Sequence, residues 1–245
     1  MMLGFSTGCL YKTLNGLEKE TISIFGGMGC DAIEIMWHNA DDDLTKVLEM
    51  DDEFWKQFKS ISLHIPSLDA YSDVKIASLL ETVVQVHNKI HFDMIVLHPY
   101  EAMNWDIFRQ FDLPFAIENM DWRKDFGKYT DSLKDIFSKF DVSMVLDLNH
   151  CYSNDPSMKL AEELLDVFGD RIKKIHLSGF GTYHDPLYRT KQEEILKAIP
   201  DKNLPIIIES VCDTVEEIKE EFEYVKSYLE KRNQQKETEA ENPIK

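Results

Sequence analysis

Apolar residues along this chain gather into short, nearly continuous runs separated by polar stretches. Eight runs stand out: MLGFS (2–6), DAIEIM (31–36), ISLHI (61–65), MIVLH (94–98), PFAIE (114–118), SMVLD (143–147), IKKIHL (172–177) and PIIIE (205–209). Their Ile, Val, Leu, Met and Phe content is that of parallel strands buried on both faces. The runs end roughly thirty residues apart, apart from the fourth and fifth, which end roughly twenty apart. The segments between them have helical periodicity. DVKIASLLETVVQVHNKI repeats apolar residues at three and four, with Asp73 placed to cap its start. SMKLAEELLDVF, TKQEEILKAI and TVEEIKEEFEYVKSYLEKR follow the same rule, the last entered through Asp213-Thr214. NWDIFRQF is shorter, with room for about two turns.

Strand–helix alternation repeated eight times implies a parallel sheet, and eight units in 245 residues imply closure. The expected fold is α/β, a single-domain (β/α)8 TIM barrel over 1–232, with a polar tail over 233–245 expected to be disordered. No G-x-G-x-x-G follows a strand, which weighs against a dinucleotide-binding open sheet. Gly26-Gly27-Met28-Gly29 precedes the second strand and reads as a helix C-cap.

Composition narrows the function. Apolar residues make up 43%, with 14 Phe and 9 Tyr, enough for a sizeable core. Lys and Arg number 27 against 45 Asp and Glu, a net charge of −18. That balance disfavours nucleic acid and anionic membrane surfaces as partners, although a local basic strip is compatible with it. Cys9, Cys30, Cys151 and Cys212 are scattered without a C-x-x-C pair. They read as reduced thiols in a cytoplasmic protein. The N-terminus lacks the basic and apolar regions of a signal peptide, and no apolar run is long enough to span a membrane.

The strand ends carry the chemistry. His64, His98, Glu118, Asp147, His176 and Glu209 lie at or near the C-terminal ends of six strands, the face where such barrels build sites. In PFAIE, Ala116 and Glu118 share one face while Phe115 and Ile117 take the other. Several buried carboxylates repel one another without a cation, so a divalent metal is the expected partner. Imidazole and carboxylate together suit Zn2+, Mn2+ or Fe2+ better than Mg2+ or Ca2+. His150, one turn after Asp147, and His184, after the seventh strand, bring the candidate metal-site residues to eight. Around the mouth, His38, Trp37, Trp122, Arg123 and Arg189 are candidates for substrate binding, with Lys12, Lys124, Tyr71 and Tyr183 near them. Glu34 is either a barrel-interior polar residue or a substrate contact. His87 and His91 read as structural or solvent-facing. Nothing in the sequence activates Cys9 or Cys151 as a nucleophile.

In order, His64 in LHIPS, His98-Pro99, Glu118-Asn119, Asp147-Leu148-Asn149-His150, His176-Leu177 and Glu209 form a pattern. It resembles the xylose-isomerase-like TIM barrel superfamily, which groups sugar isomerases and epimerases with endonuclease IV-type apurinic-site endonucleases. The resemblance covers the whole barrel. By its epimerase side, Glu118, Asp147, His176 and Glu209 would hold one divalent ion. Glu118 and Glu209 would then move a proton next to the substrate carbonyl, and His150 would hold a substrate oxygen. By its endonuclease side, His64 and His98 would share Glu118 around one zinc. Asp147, His176 and Glu209 would join Glu118 around a second, and His150 and His184 would hold a third. Thr182 departs from both patterns: the endonucleases have Asp there and the epimerases a substrate-binding Arg. The leading expectation is a metal-dependent isomerase or epimerase of a small carbohydrate or sugar phosphate, with one to three Zn2+ or Mn2+ ions. A multinuclear zinc phosphoesterase is the alternative, and a barrel with only a binding role the third reading. Barrels of this kind often pair, so a homodimer is an expected assembly.

Overall fold

The computed structural model describes residues 2–200 and 203–241. Eight parallel strands close on one another in chain order: β1 (Leu3–Ser6), β2 (Ala32–Met36), β3 (Ser60–His64), β4 (Met94–Leu97), β5 (Phe115–Glu118), β6 (Ser143–Asp147), β7 (Ile172–Leu177) and β8 (Ile206–Ile208), with β8 pairing back to β1. Around them run α1 (Lys19–Gly27), α2 (Asp52–Trp55), α3 (Asp73–Ile90), α4 (Trp105–Phe108), α5 (Thr130–Lys139), α6 (Leu148–Asn154), α7 (Lys159–Phe168), α8 (Leu187–Thr190), α9 (Glu193–Lys197) and α10 (Val215–Glu241). This is a single-domain (β/α)8 TIM barrel, as the eight apolar runs predict. Among the described residues no helix is long and apolar enough to cross a membrane.

The alternation of each strand divides the core in two. Outward residues such as Phe5, Ile33, Leu63, Ile95, Phe115, Ile117, Leu146 and Ile175 belong to one continuous apolar cluster beneath the helices. Phe5 packs its ring 5.3 Å from Phe25 of α1 and 6.0 Å from Phe222 of α10, so β1 is held between the first helix and the last. Inward residues are smaller or polar. Met94, Val96, Ala116 and Val145 form a separate apolar patch inside the barrel. Ser6, Glu34, Ser62, His64, Glu118, Lys174 and His176 are buried as well. An interior this polar cannot serve as a core alone; it needs internal partners.

Three local readings change. Ser72, not Asp73, caps α3, its side chain accepting the Lys75 N–H; Asp73 is the first helical residue, where its charge suits the helix dipole. NWDIFRQF forms one turn rather than two, and Trp105 and Phe108, on one face of that turn, pack against Phe140 and Phe115. α10 continues past Asn233 to Glu241, over residues expected to be a disordered tail. Gln, Lys and Glu dominate that stretch and are good helix formers. Residues 242–245 lie outside the described residues. The Gly26–Gly29 cluster does end α1: the Gly29 N–H bonds the Gly26 carbonyl, and Gly29 takes a φ of 78°.

One position tests the closure. A Cβ on Gly4 would sit 1.6 Å from the Ala32 carbonyl oxygen of β2, a backbone atom that cannot move aside. Gly4→Ala is expected to lower unfolding stability by roughly 3 kcal/mol or more, read from urea denaturation. An unchanged midpoint would mean that β1 does not lie against β2 in this register.

Candidate metal centre

Parallel strands put all their C-terminal ends on one face, so residues far apart in sequence converge there. Glu118 is the hub. Its Oε2 faces His64 Nε2 at 3.1 Å and His98 Nε2 at 3.0 Å, while its Oε1 faces His176 Nδ1 at 3.2 Å. Two ligand-capable groups result: His64, His98 and Glu118, and Glu118, Asp147, His176 and Glu209. Within each group the ligand atoms lie within 4.8 Å of one another.

Asp147 shows how the fold leaves an atom free for a cation. Its Oδ1 accepts the His150 N–H at 2.7 Å and caps α6. Its backbone is clamped by the Asn119 amide, which accepts from Asp147 N and donates to Asp147 O. Its Oδ2 is buried and has no hydrogen-bond partner. A buried, unpartnered carboxylate oxygen is costly in any folded protein. Placed within reach of Glu118, His176 and Glu209, it fits a divalent ion bound by oxygen and imidazole nitrogen.

The titration states express the same crowding. Burial pushes Asp147 up to about 8, and the Glu118 and Glu209 charges add to it against the opposing His150. Burial also works against Glu209, but the His176 charge beside it prevails and holds it at about 2. Glu118 lies well below the usual carboxylate range: burial opposes this, and His176, His64 and His98 override it. Burial alone would lower His64, yet the Glu118 contact raises it to about 9. Burial lowers His184 to about 4, more than the nearby Glu209 charge restores.

His150 and His184 do not complete a third group among the described residues. Their rings lie 5.4 Å apart. His150 Nδ1–H donates to the Asn119 carbonyl, and His184 Nδ1 bonds the Ser178 hydroxyl, leaving one ring nitrogen free on each. A carboxylate to join them is missing. Thr182 offers none, and Asp121, with Oδ2 3.9 Å from His150 Nε2, is already held by the Arg123 guanidinium.

Above the cluster opens a cavity of about 880 Å3. Trp37, His38, Arg123 and Arg189 line it, as expected of substrate-binding candidates, but each is already engaged. Trp37 Nε1–H donates to the Asp42 carbonyl and His38 stacks on Tyr11. Arg123 grips Asp121 and lies over the Tyr183 ring, and Arg189 grips Glu217. Trp122 and Tyr71 are not part of the lining; Trp122 is 54% exposed on the loop after β5, its backbone N–H bonded to Ser153. All four cysteines are free and buried, and burial pushes the Cys9 and Cys151 thiols up, away from nucleophilic chemistry. His87 is half-buried and His91 exposed, both away from the cavity.

Asp121 and Ser178, which fix Arg123 and His184, carry no sequence signal beyond following Glu118-Asn119 by two residues and His176-Leu177 by one. The partner of Glu34 is equally hidden. Glu34 is fully buried inside the barrel and bonds Ser62 and His176.

No protein-family model and no curated protein sequence matches the chain. Solved structures do. Endonuclease IV from Thermus thermophilus superposes with a TM-score of 0.70 at 15% identity, covering 94% of this chain and 100% of that one. The probable 3-DHS dehydratase involved in petrobactin synthesis from Bacillus anthracis gives 0.67 at 14% identity, over 93% and 99%. D-allulose 3-epimerase from a Methylomonas species gives 0.64 at 14% identity, over 93% and 98%. These likenesses are of fold: the chain shares the closed (β/α)8 barrel of these solved structures.

Proposed function

We propose that the chain is a divalent-metal-dependent hydrolase of small phosphoesters whose two ions share Glu118. One observation carries this reading: Glu118 turns one carboxylate oxygen to His64 and His98 and the other toward His176. A single-ion site has no use for the two histidines on the far side of that carboxylate. When bound, two ions supply Lewis acidity and charge stabilisation for displacement at phosphorus. The chain positions the substrate. His150 and His184 each keep one ring nitrogen free beside the cluster and can bind phosphoryl oxygens. A small ester suits the rim better than nucleic acid does. Lys12, Arg123, Lys124 and Arg189 pair with Asp213, Asp121, Asp69 and Glu217, so little positive charge is left for a polyanion.

A second reading, a sugar isomerase or epimerase, is favoured by the four-residue group alone. Glu118 and Glu209 both approach His176 Nδ1, at 3.2 and 3.4 Å, and could serve one ion as a pair of proton-transfer carboxylates. Plasma mass spectrometry on protein purified without chelator separates the two. The phosphoesterase reading expects two ions per chain and hydrolysis of bis-p-nitrophenyl phosphate. His64→Ala should then lose one ion and at least about 100-fold in rate. One ion, with ketose epimerisation that survives His64→Ala, would establish the second reading. A folded protein that takes up no ion overturns both.

Ion binding is also expected to release protons. With Asp147 at about 8 and His64 at about 9, both groups are largely protonated at neutral pH in the ion-free protein. A ligand must give up its proton to bind, so zinc affinity should rise between about pH 6 and about pH 8. Calorimetry at neutral pH in buffers of different ionisation enthalpy should count at least one proton released. A flat affinity across that range would show that the ligands are already deprotonated.

A further inference from the structure

We propose that Glu34 is the positioning residue of the metal site: it takes the Nε2–H of His176 and so holds that ring with Nδ1 aimed at Glu118, Asp147 and Glu209. The inference rests on the metal reading above. Glu34 lies on β2 and His176 on β7, 142 positions apart, and both are fully buried. His176 Nε2 sits 3.2 Å from each Glu34 oxygen. Its hydrogen bond goes to Oε2, which also accepts the Ser62 hydroxyl at 2.8 Å, and Oε1 has no hydrogen-bond partner.

A plain structural role explains this poorly. A buried ion pair is often no more stabilising than apolar residues of the same volume. Nor is Glu34 present to satisfy the buried Lys174 on the same inward face of β7. The ammonium of Lys174 goes to Asp93 Oδ1 at 3.4 Å, and the other oxygen of Asp93 is taken by Ser60, so the base of the barrel has its own carboxylate. What Glu34 does touch is the one histidine of the four-residue group, at the nitrogen facing away from that group. A proton fixed on Nε2 leaves the Nδ1 lone pair for the ion and stops the ring from turning. The other histidines are oriented by neutral partners: the carbonyls of Ile65 and Asn119 hold His64 and His150, and the Ser178 hydroxyl holds His184. Among these four only His176 has a carboxylate within hydrogen-bond distance of the nitrogen turned away from the cluster, and such a partner raises the basicity of a ligand imidazole.

The test is a zinc titration of metal-free wild type, Glu34→Gln and Ser62→Ala against a chelating indicator, with nitrogen-15 spectra of the histidine rings. Glu34→Gln keeps the volume and removes the charge. It should weaken one of the two ions about 10- to 100-fold, leave the other unchanged, and melt cooperatively when metal-free. In zinc-loaded wild type the His176 Nε2–H proton should be shifted downfield by the Glu34 carboxylate, and the variant should lose that shift while Nε2 stays protonated. Ser62→Ala, which only loosens Glu34, should weaken the same ion several-fold and carries the test if Glu34→Gln does not fold. Unchanged affinity in the variant that folds, or equal weakening of both ions, overturns the assignment while the metal reading stands. Wild type that binds no zinc removes the metal reading itself.

Discussion

The structure turns on a buried carboxylate with more neighbours than a folded protein needs. Glu118 is 1% exposed and faces three imidazoles across its two oxygens. A carboxylate in that environment is stable only while compensating positive charge is held close. The barrel provides it by register. Glu118 pairs with Val145 and Asp147 with His176, so the polar ends of β5, β6 and β7 climb the wall in step. His64 follows from the pairing of β3 with β2 and β4. A slip of one residue on any of these strands would send its polar end into the apolar layer under the helices.

Around that hub the side chains are held by partners outside the cluster. Asn119 illustrates the economy: its amide clamps the Asp147 backbone and its carbonyl accepts from His150, so one residue after β5 orients two candidate ligands on the next strand and helix. Asn149 does the same for the β7 loop, donating to the Gly179 and Tyr183 carbonyls and so placing His184. Asp147, His150 and His184 are thereby fixed before any ion arrives, which is the requirement for a site with defined geometry.

The strands and the cluster were legible because both follow the period of two. An apolar run with His, Asp or Glu at or near its end names its own inward face, as six of the runs do, and eight apolar runs in order name a barrel. What the runs could not show is contact across the barrel. Glu34 appears in DAIEIM as an isolated acid; its partner stands five strands away, and only closure brings them together. The rim was less legible still. Arg123 and Arg189 were readable as free cations near the mouth, but their acidic partners sit on loops and helices whose course no periodicity encodes. Asp121 and Glu217 turn both from anion hooks into braces. Trp122 failed for the opposite reason: a large aromatic near a strand end suggests a wall, yet its loop carries it outward to solvent.

The three fold neighbours are named for an endonuclease, a dehydratase and an epimerase, so the fold leaves the reaction open. The four-residue group serves either proposed chemistry, because two carboxylates facing one ion can move a proton or stabilise a leaving oxygen. The contributions of β3 and β4 are different. His64 and His98 sit 4.7 Å apart, ring to ring, on the oxygen of Glu118 that His176 does not face. A buried imidazole and a half-buried one there are an expense for a one-ion enzyme, since both lose solvent to a carboxylate that His176 already pairs. For a two-ion enzyme they are half of the centre. The choice between the two proposed reactions therefore rests on the third and fourth strands, whose histidines the one-ion reading leaves without a role.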